Sequence, residues 1–106
     1  MDRMKGKVAL VTGSGRGFGR TMALSYAQEG AKVVLVSRTK SELGDTAKKI
    51  RDSGGECLII PADLVNEDEI YSIKDQILAN YGRLNVLVNN AAYNPRENLE
   101  NTSVEI

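Results

Sequence analysis

The chain contains no histidine. Without imidazole there is no Ser-His-Asp or Cys-His nucleophile pair and no His-ligated metal centre. It contains no tryptophan, which removes an indole platform for stacking bases. A single cysteine, Cys57, cannot close an internal disulfide, and a reducing cytoplasm is the compartment that fits. Neither charge is in excess, because 14 basic residues balance 14 acidic ones. Binding to nucleic acid or to a membrane surface through bulk charge is therefore not expected. No apolar run approaches the roughly 20 residues of a membrane span. The charged N-terminus MDRMKGKVALV lacks the small-residue cleavage site of a signal peptide.

What remains is the composition of an ordinary globular chain. Of 106 residues, 42% are hydrophobic and 26% charged, enough to bury one small core. Apolar periodicity divides the sequence into alternating elements. KVALVT at 7–12 reads as a short strand that is apolar on both faces and then breaks into glycine. Gly19–Glu29 reads as a helix, with Met22, Ala23, Tyr26 and Ala27 on one face and Gly30 as its stop. KVVLV at 32–36 is a second strand of the same kind. Thr39 and Glu42 have the spacing of a capping box, and Leu43, Ala47 and Ile50 continue at helical spacing to Gly54-Gly55. Cys57–Ile60 is a third strand. Asn66 and Glu69 form another capping-like pair. Ile70, Ile73, Ile77, Leu78 and Tyr81 then mark an amphipathic helix ended by Gly82. Val86–Val88 is a fourth strand. Strands alternating with helices predict parallel strands joined by right-handed crossovers, with helices on both faces of the sheet. Residues 93–106, YNPRENLENTSVEI, are polar and aperiodic, and read as a loop opening another helix.

The chemistry concentrates at the ends of the strands. Between the first strand and the first helix lies TGSGRGFG at 12–19, with glycines spaced G-x-x-x-G-x-G. Gly13 allows the tight turn, Gly17 lets backbone approach a pyrophosphate, and Gly19 lets the helix pack against the sheet. An ordinary glycine-rich turn is the competing reading. The strand before, the helix after and the second strand at the right distance argue against it. No Gly-Lys-Ser/Thr follows, which disfavours a P-loop. At the end of the second strand a dinucleotide fold places the adenosine ribose, where an acid selects NAD. Here stand Ser37, Arg38 and Thr39, with no acid among them. Arg38, with Arg16 from the glycine loop, suits a 2′-phosphate, so NADP is expected in preference to NAD. Asp63-Leu64 follows the third strand, on the ligand side of a parallel sheet, where the carboxylate can take an adenine amino group or Asp63 can serve as a turn or capping residue. Asn89-Asn90-Ala91-Ala92 follows the fourth, where small residues admit a cofactor. Cys57, Tyr26 and Tyr81 read as packing residues, Tyr71 as exposed, and Lys48-Lys49 as a solvated helix face.

Taken together, TGSGRGFG, Asp63-Leu64 and NNAA at 89–92 resemble the short-chain dehydrogenase/reductase family over residues 6–92. The resemblance implies a Rossmann-like three-layer α/β/α fold with an incomplete, parallel sheet in the strand order 3-2-1-4. It implies an oxidoreductase moving hydride between NAD(P) and alcohols or ketones. It assigns Gly13, Gly17 and Gly19, flanked by Ser14, Arg16 and Phe18, to the pyrophosphate turn, and Thr12 to bracing the loop after the fourth strand. Asp63 with Leu64 goes to adenine, and Asn90 with Ala91 and Ala92 to the adenosine ribose side. The Ser37-Arg38 pair looks like the NADP-preferring branch. Phe18 stands where the family usually has Ile, and Ala92 where it usually has Gly. Family members run to about twice this length. Their catalytic Asn, Ser and Tyr-x-x-x-Lys lie in a second half, and no Tyr-x-x-x-Lys occurs here. The expectation is a dinucleotide-binding half-domain at 1–92, with 93–106 ending before the catalytic half and no catalytic residue in the chain. The rival reading is a non-catalytic dinucleotide sensor, complete at this length. An open fourth strand is expected at the sheet edge, favouring self-association of the isolated polypeptide. The parent enzyme is expected to be a homo-oligomer.

Overall fold

Strands that are apolar on both faces must be covered on both sides, and the molecule is built to do so. The computed structural model describes residues 3–15, 17–63, 67–89 and 102–105. The elements follow as β1 (Val8–Thr12), α1 (Gly17–Gln28), β2 (Lys32–Ser37), α2 (Lys40–Asp52), β3 (Glu56–Pro61), α3 (Glu67–Tyr81), β4 (Val86–Asn89) and β5 (Thr102–Glu105). They form a five-stranded sheet in the order β3-β2-β1-β4-β5. β1 runs parallel to both β2 and β4, with Ala9 opposite Val33 and Val86. β2 continues the parallel run into β3, with Val33 opposite Cys57.

The alternation of side chains along each strand sorts the core into two layers. Ala9, Val11, Val33 and Leu35 join Ala23 of α1 and Leu43 of α2 on one face. Val8, Leu10, Val34 and Val36 join Ile73 and Ile77 of α3 on the other. Burial of a side chain such as Leu35 is worth about 1.5–3 kcal/mol. Cys57 lies in the first layer as a packing residue, as its strand position predicts. Tyr81 packs on the second layer, and Tyr71 is exposed. The α3 stripe is narrower than its periodicity suggests. Ile73 and Ile77, spaced by four, meet the sheet, whereas Ile70 and Leu78 belong to the neighbouring row and stay 44% and 46% exposed.

The expected cap of α2 differs in detail. Thr39 sits at the N-cap of α2 with extended backbone, but its side chain makes no capping bond. Its amide instead donates to Ser37 Oγ at 3.1 Å, so the hydroxyl at the strand end supplies the acceptor. At α3, Asn66 lies outside the described residues, and Glu69 Oε1 accepts the Asp63 amide at 3.0 Å.

The largest correction concerns the end of the chain. Polarity and the lack of a period predict a loop opening a helix at 93–106, with β4 at the sheet edge. Instead Thr102–Glu105 forms β5, antiparallel to β4, with Asn89 opposite Thr102 and Val86 opposite Glu105. The open row of N–H and C=O groups on β4 offers these residues a ladder, and Thr102 and Val104 are β-branched. Local polarity does not report a partner supplied by a distant strand. The remaining residues of that segment lie outside the described ones. The parallel end of the sheet is β3, where Pro61 closes the strand opposite Ser37 without a missing ladder bond inside the sheet.

Candidate cofactor site

The chain leaves β1 for β2 on one side and returns to β4 on the other. Such a switch point opens a crevice beyond the carboxyl ends of the strands. The glycine loop runs out of β1 at that crevice. Gly13 turns with φ +64. Its amide donates to the Val36 carbonyl at 2.8 Å, and the Ser14 amide reaches the same oxygen at 3.3 Å. Those two donors are therefore committed to β2. Helix α1 opens at Gly17, which has φ +59 and where an added Cβ would meet nothing within 4 Å. The amides of that first turn, at Gly17, Phe18 and Gly19, have no carbonyl one turn earlier to bond. They carry the positive end of the helix dipole, an arrangement that accepts an anion. Phe18 is 51% exposed beside them, and Gly19 is buried.

Ser14 follows Gly13 in the loop, between β1 and α1. Its side chain is fully buried, and its hydroxyl has no hydrogen-bond partner among the described residues. An unsatisfied buried hydroxyl costs about 1–3 kcal/mol. Ser14→Ala is accordingly expected to raise the melting temperature and leave nucleotide affinity unchanged. A lower melting temperature or weaker binding in a thermal-shift titration would show that the hydroxyl has work to do.

The other strand ends converge on the same side. The Thr12 hydroxyl donates to the Val88 carbonyl at 3.3 Å, tying β1 to the end of β4. The Ala62 amide donates to the Ser37 carbonyl at 2.9 Å, tying the end of β3 to the end of β2. Asp63 is half-buried just beyond. Arg38 and Thr39 are exposed in the turn after β2. The Arg38 guanidinium makes no hydrogen bond or ion pair among the described residues. Arg16, Leu64, Asn90, Ala91 and Ala92 lie outside the described residues.

Three residues at this corner, Gly15, Arg20 and Thr46, carry no local sequence motif of their own. Gly15 is pressed against α2: an added Cβ would lie 2.7 Å from Glu42 Cβ, 3.1 Å from its Oε1 and 3.3 Å from Ser37 Oγ. The Thr46 hydroxyl donates to the Ser14 carbonyl at 2.9 Å. Arg20 donates through Nε to Thr46 Oγ1 at 3.0 Å and through Nη2 to the Gly15 carbonyl at 2.7 Å. The available signal was Thr46 itself, a polar residue on the helix face that carries Leu43, Ala47 and Ile50. The chemically reactive side chains lie elsewhere. Burial pushes the Cys57 thiol up, and burial with the nearby Glu56 pushes the Tyr81 hydroxyl up to about 12. Lys32, at the start of β2, stands 5.4 Å over the Tyr81 ring, which places that phenol at the amino end of the sheet, opposite the glycine loop.

A family model described as short chain dehydrogenase matches residues 7–106. The chain belongs to the short-chain dehydrogenase family. An uncharacterized oxidoreductase of Mycobacterium tuberculosis is 38% identical over 105 residues, covering 99% of this chain and 40% of its own length. A metagenomic short-chain oxidoreductase solved in complex with NADP superposes with a TM-score of 0.81 at 39% identity, over 84% of this chain and 40% of its own. An NAD+-bound xylitol dehydrogenase superposes with a TM-score of 0.83 at 30% identity, over 87% of this chain and 35% of its own. The chain thus spans about two fifths of the length of such relatives. The Rossmann-like sheet with strands ordered 3-2-1-4 is the one expected from the sequence. Family membership makes the chain part of an oxidoreductase fold, and solved relatives carry either nicotinamide cofactor.

Proposed function

We propose that this chain is the NADP-binding portion of an oxidoreductase that moves hydride between NADP(H) and an alcohol or ketone. The observation that carries the choice of cofactor is Arg38, an exposed guanidinium at the end of β2 with no partner among the described residues. Ser37 and Thr39 flank it, and none of these three positions is acidic. A guanidinium forms charge-assisted bonds to a 2′-phosphate, whereas a ribose diol is selected by a carboxylate. Arg16 is the second cation for that phosphate. In this reading the amides of Gly17, Phe18 and Gly19 hold the diphosphate, and the Gly13 turn aims them. Asp63, with Leu64 beside it, takes the adenine amino group. Asn90, Ala91 and Ala92 line the adenosine ribose side. The bound nicotinamide supplies the hydride chemistry, and this chain's residues bind and orient the adenosine half. No catalytic residue is assigned, because no Tyr-x-x-x-Lys occurs in the 106 residues. The same reading places the parent in the cytoplasm as a homo-oligomer, supported by the single buried thiol and the family resemblance respectively.

Calorimetric titration of the chain with NADP and with NAD tests the proposal. NADP is expected to bind about tenfold more tightly or better, the value of one charge-assisted bond. Equal or reversed affinities would remove the NADP assignment, and no binding of either would remove the dinucleotide reading.

A further inference from the structure

We propose that Arg20 and Thr46 form a latch that fixes the direction of the glycine loop and so sets its affinity for a diphosphate. The inference rests on the reading above that this loop takes a dinucleotide. Thr46 is fully buried on a helix face otherwise made of Leu43, Ala47 and Ile50. A valine of nearly the same shape would fill that place without desolvating a hydroxyl, so the oxygen must be answered by bonds. It has one proton, and the Ser14 carbonyl at 2.9 Å takes it in preference to the Glu42 carbonyl at 3.3 Å. Its lone pair accepts Arg20 Nε at 3.0 Å. The same guanidinium then reaches the Gly15 carbonyl at 2.7 Å. Two consecutive loop carbonyls are therefore held by one connected pair of side chains.

The consequence follows from peptide planarity. In a trans peptide the N–H points opposite to the C=O before it. Drawing the Ser14 carbonyl onto Thr46 turns the Gly15 amide away from α2. Gly15 has no freedom to drift toward α2, because Glu42 Cβ already fills that side. The loop is thus held from behind with its amide side presented outward. A fixed guanidinium stands directly behind it, adding positive charge to the helix N-terminus. Arg20 and Thr46 are positioning residues in this account. They touch the loop, and the loop touches the ligand.

The test uses the 106-residue chain with two probes, ADP and adenosine, in NMR shift titrations. ADP carries the diphosphate and adenosine does not. Thr46→Val is expected to weaken ADP at least about tenfold while adenosine stays within about twofold. Thr46→Ser, which keeps the hydroxyl, is expected to restore the parent ADP-to-adenosine ratio. A brace that only stabilises the fold would lower both affinities together, and an unchanged ratio in Thr46→Val overturns the proposal. So does failure of Thr46→Ser to restore it. Should Thr46→Val not fold, Arg20→Gln decides by the same ratio: a selective loss of ADP supports the latch, and a parent-like ratio overturns it. If the unsubstituted chain binds no ADP, the dinucleotide reading itself has failed, a result distinct from a latch that fails in a chain that binds.

Discussion

Arg38→Asp is expected to weaken NADP binding by at least about 1.5–3 kcal/mol, roughly 10- to 150-fold. The lower bound is the loss of a charged hydrogen bond. The reversed charge adds repulsion against the 2′-phosphate. NAD should respond in the opposite sense, because the new carboxylate accepts hydrogen bonds from a ribose diol. Arg38 is exposed and has no partner among the described residues, so its removal should leave the fold intact, with the melting temperature nearly unchanged. The exposure also predicts salt sensitivity: the NADP preference of the unsubstituted chain should shrink between low and high ionic strength. Titration of both dinucleotides onto both proteins reads all of this. Unaltered NADP affinity in Arg38→Asp would show that another group holds the phosphate.

Gly15→Val is expected to lower both stability and nucleotide affinity. Even an unbranched Cβ would come 2.7 Å from Glu42 Cβ, which is rooted in the backbone of α2 and cannot swing aside. The loop must move instead. Overpacking of this kind costs about 1–3 kcal/mol. The movement also pulls the Gly15 carbonyl from Arg20 and the Ser14 carbonyl from Thr46. Losing both supports should reduce ADP affinity by about a hundredfold, near tenfold for each. Gly44→Ala is the control, since an added Cβ there meets nothing within 4 Å and the residue lies inside α2. That substitution should raise stability by about 0.5–1 kcal/mol through helix propensity and leave ADP binding alone. Parallel thermal melts and titrations compare them. A Gly15→Val chain that binds and melts like the parent would mean that the loop has slack at this point.

Much of this architecture is written locally. Val33 and Leu35 alternate with Val34 and Val36, and that alternation alone requires helices on both faces of β2. Gly13 and Gly17 mark the turn because their left-handed backbone excludes larger residues at little cost only to glycine. The arginine after β2 could be placed at the carboxyl end of the sheet because strand, loop and helix lengths are conveyed by apolar spacing. The site was less legible where amides were concerned. Gly13 and Ser14 look equivalent to Gly17 as donors until the Val36 carbonyl is seen to take both of their amides.

By itself the sequence determined the order of strands and helices from β1 to β4, the place of the glycine turn and the missing acid beside Arg38. Each depends on residues within a few positions of one another, where period, propensity and backbone restriction act directly. Only the tertiary structure decided that Thr102–Glu105 completes the sheet, that Glu42 walls in Gly15, and that Thr46 answers Arg20 across 26 residues. Those contacts join segments far apart in the chain, and what favours them is an unfilled hydrogen bond or a closed space that exists only once the partner has folded into place.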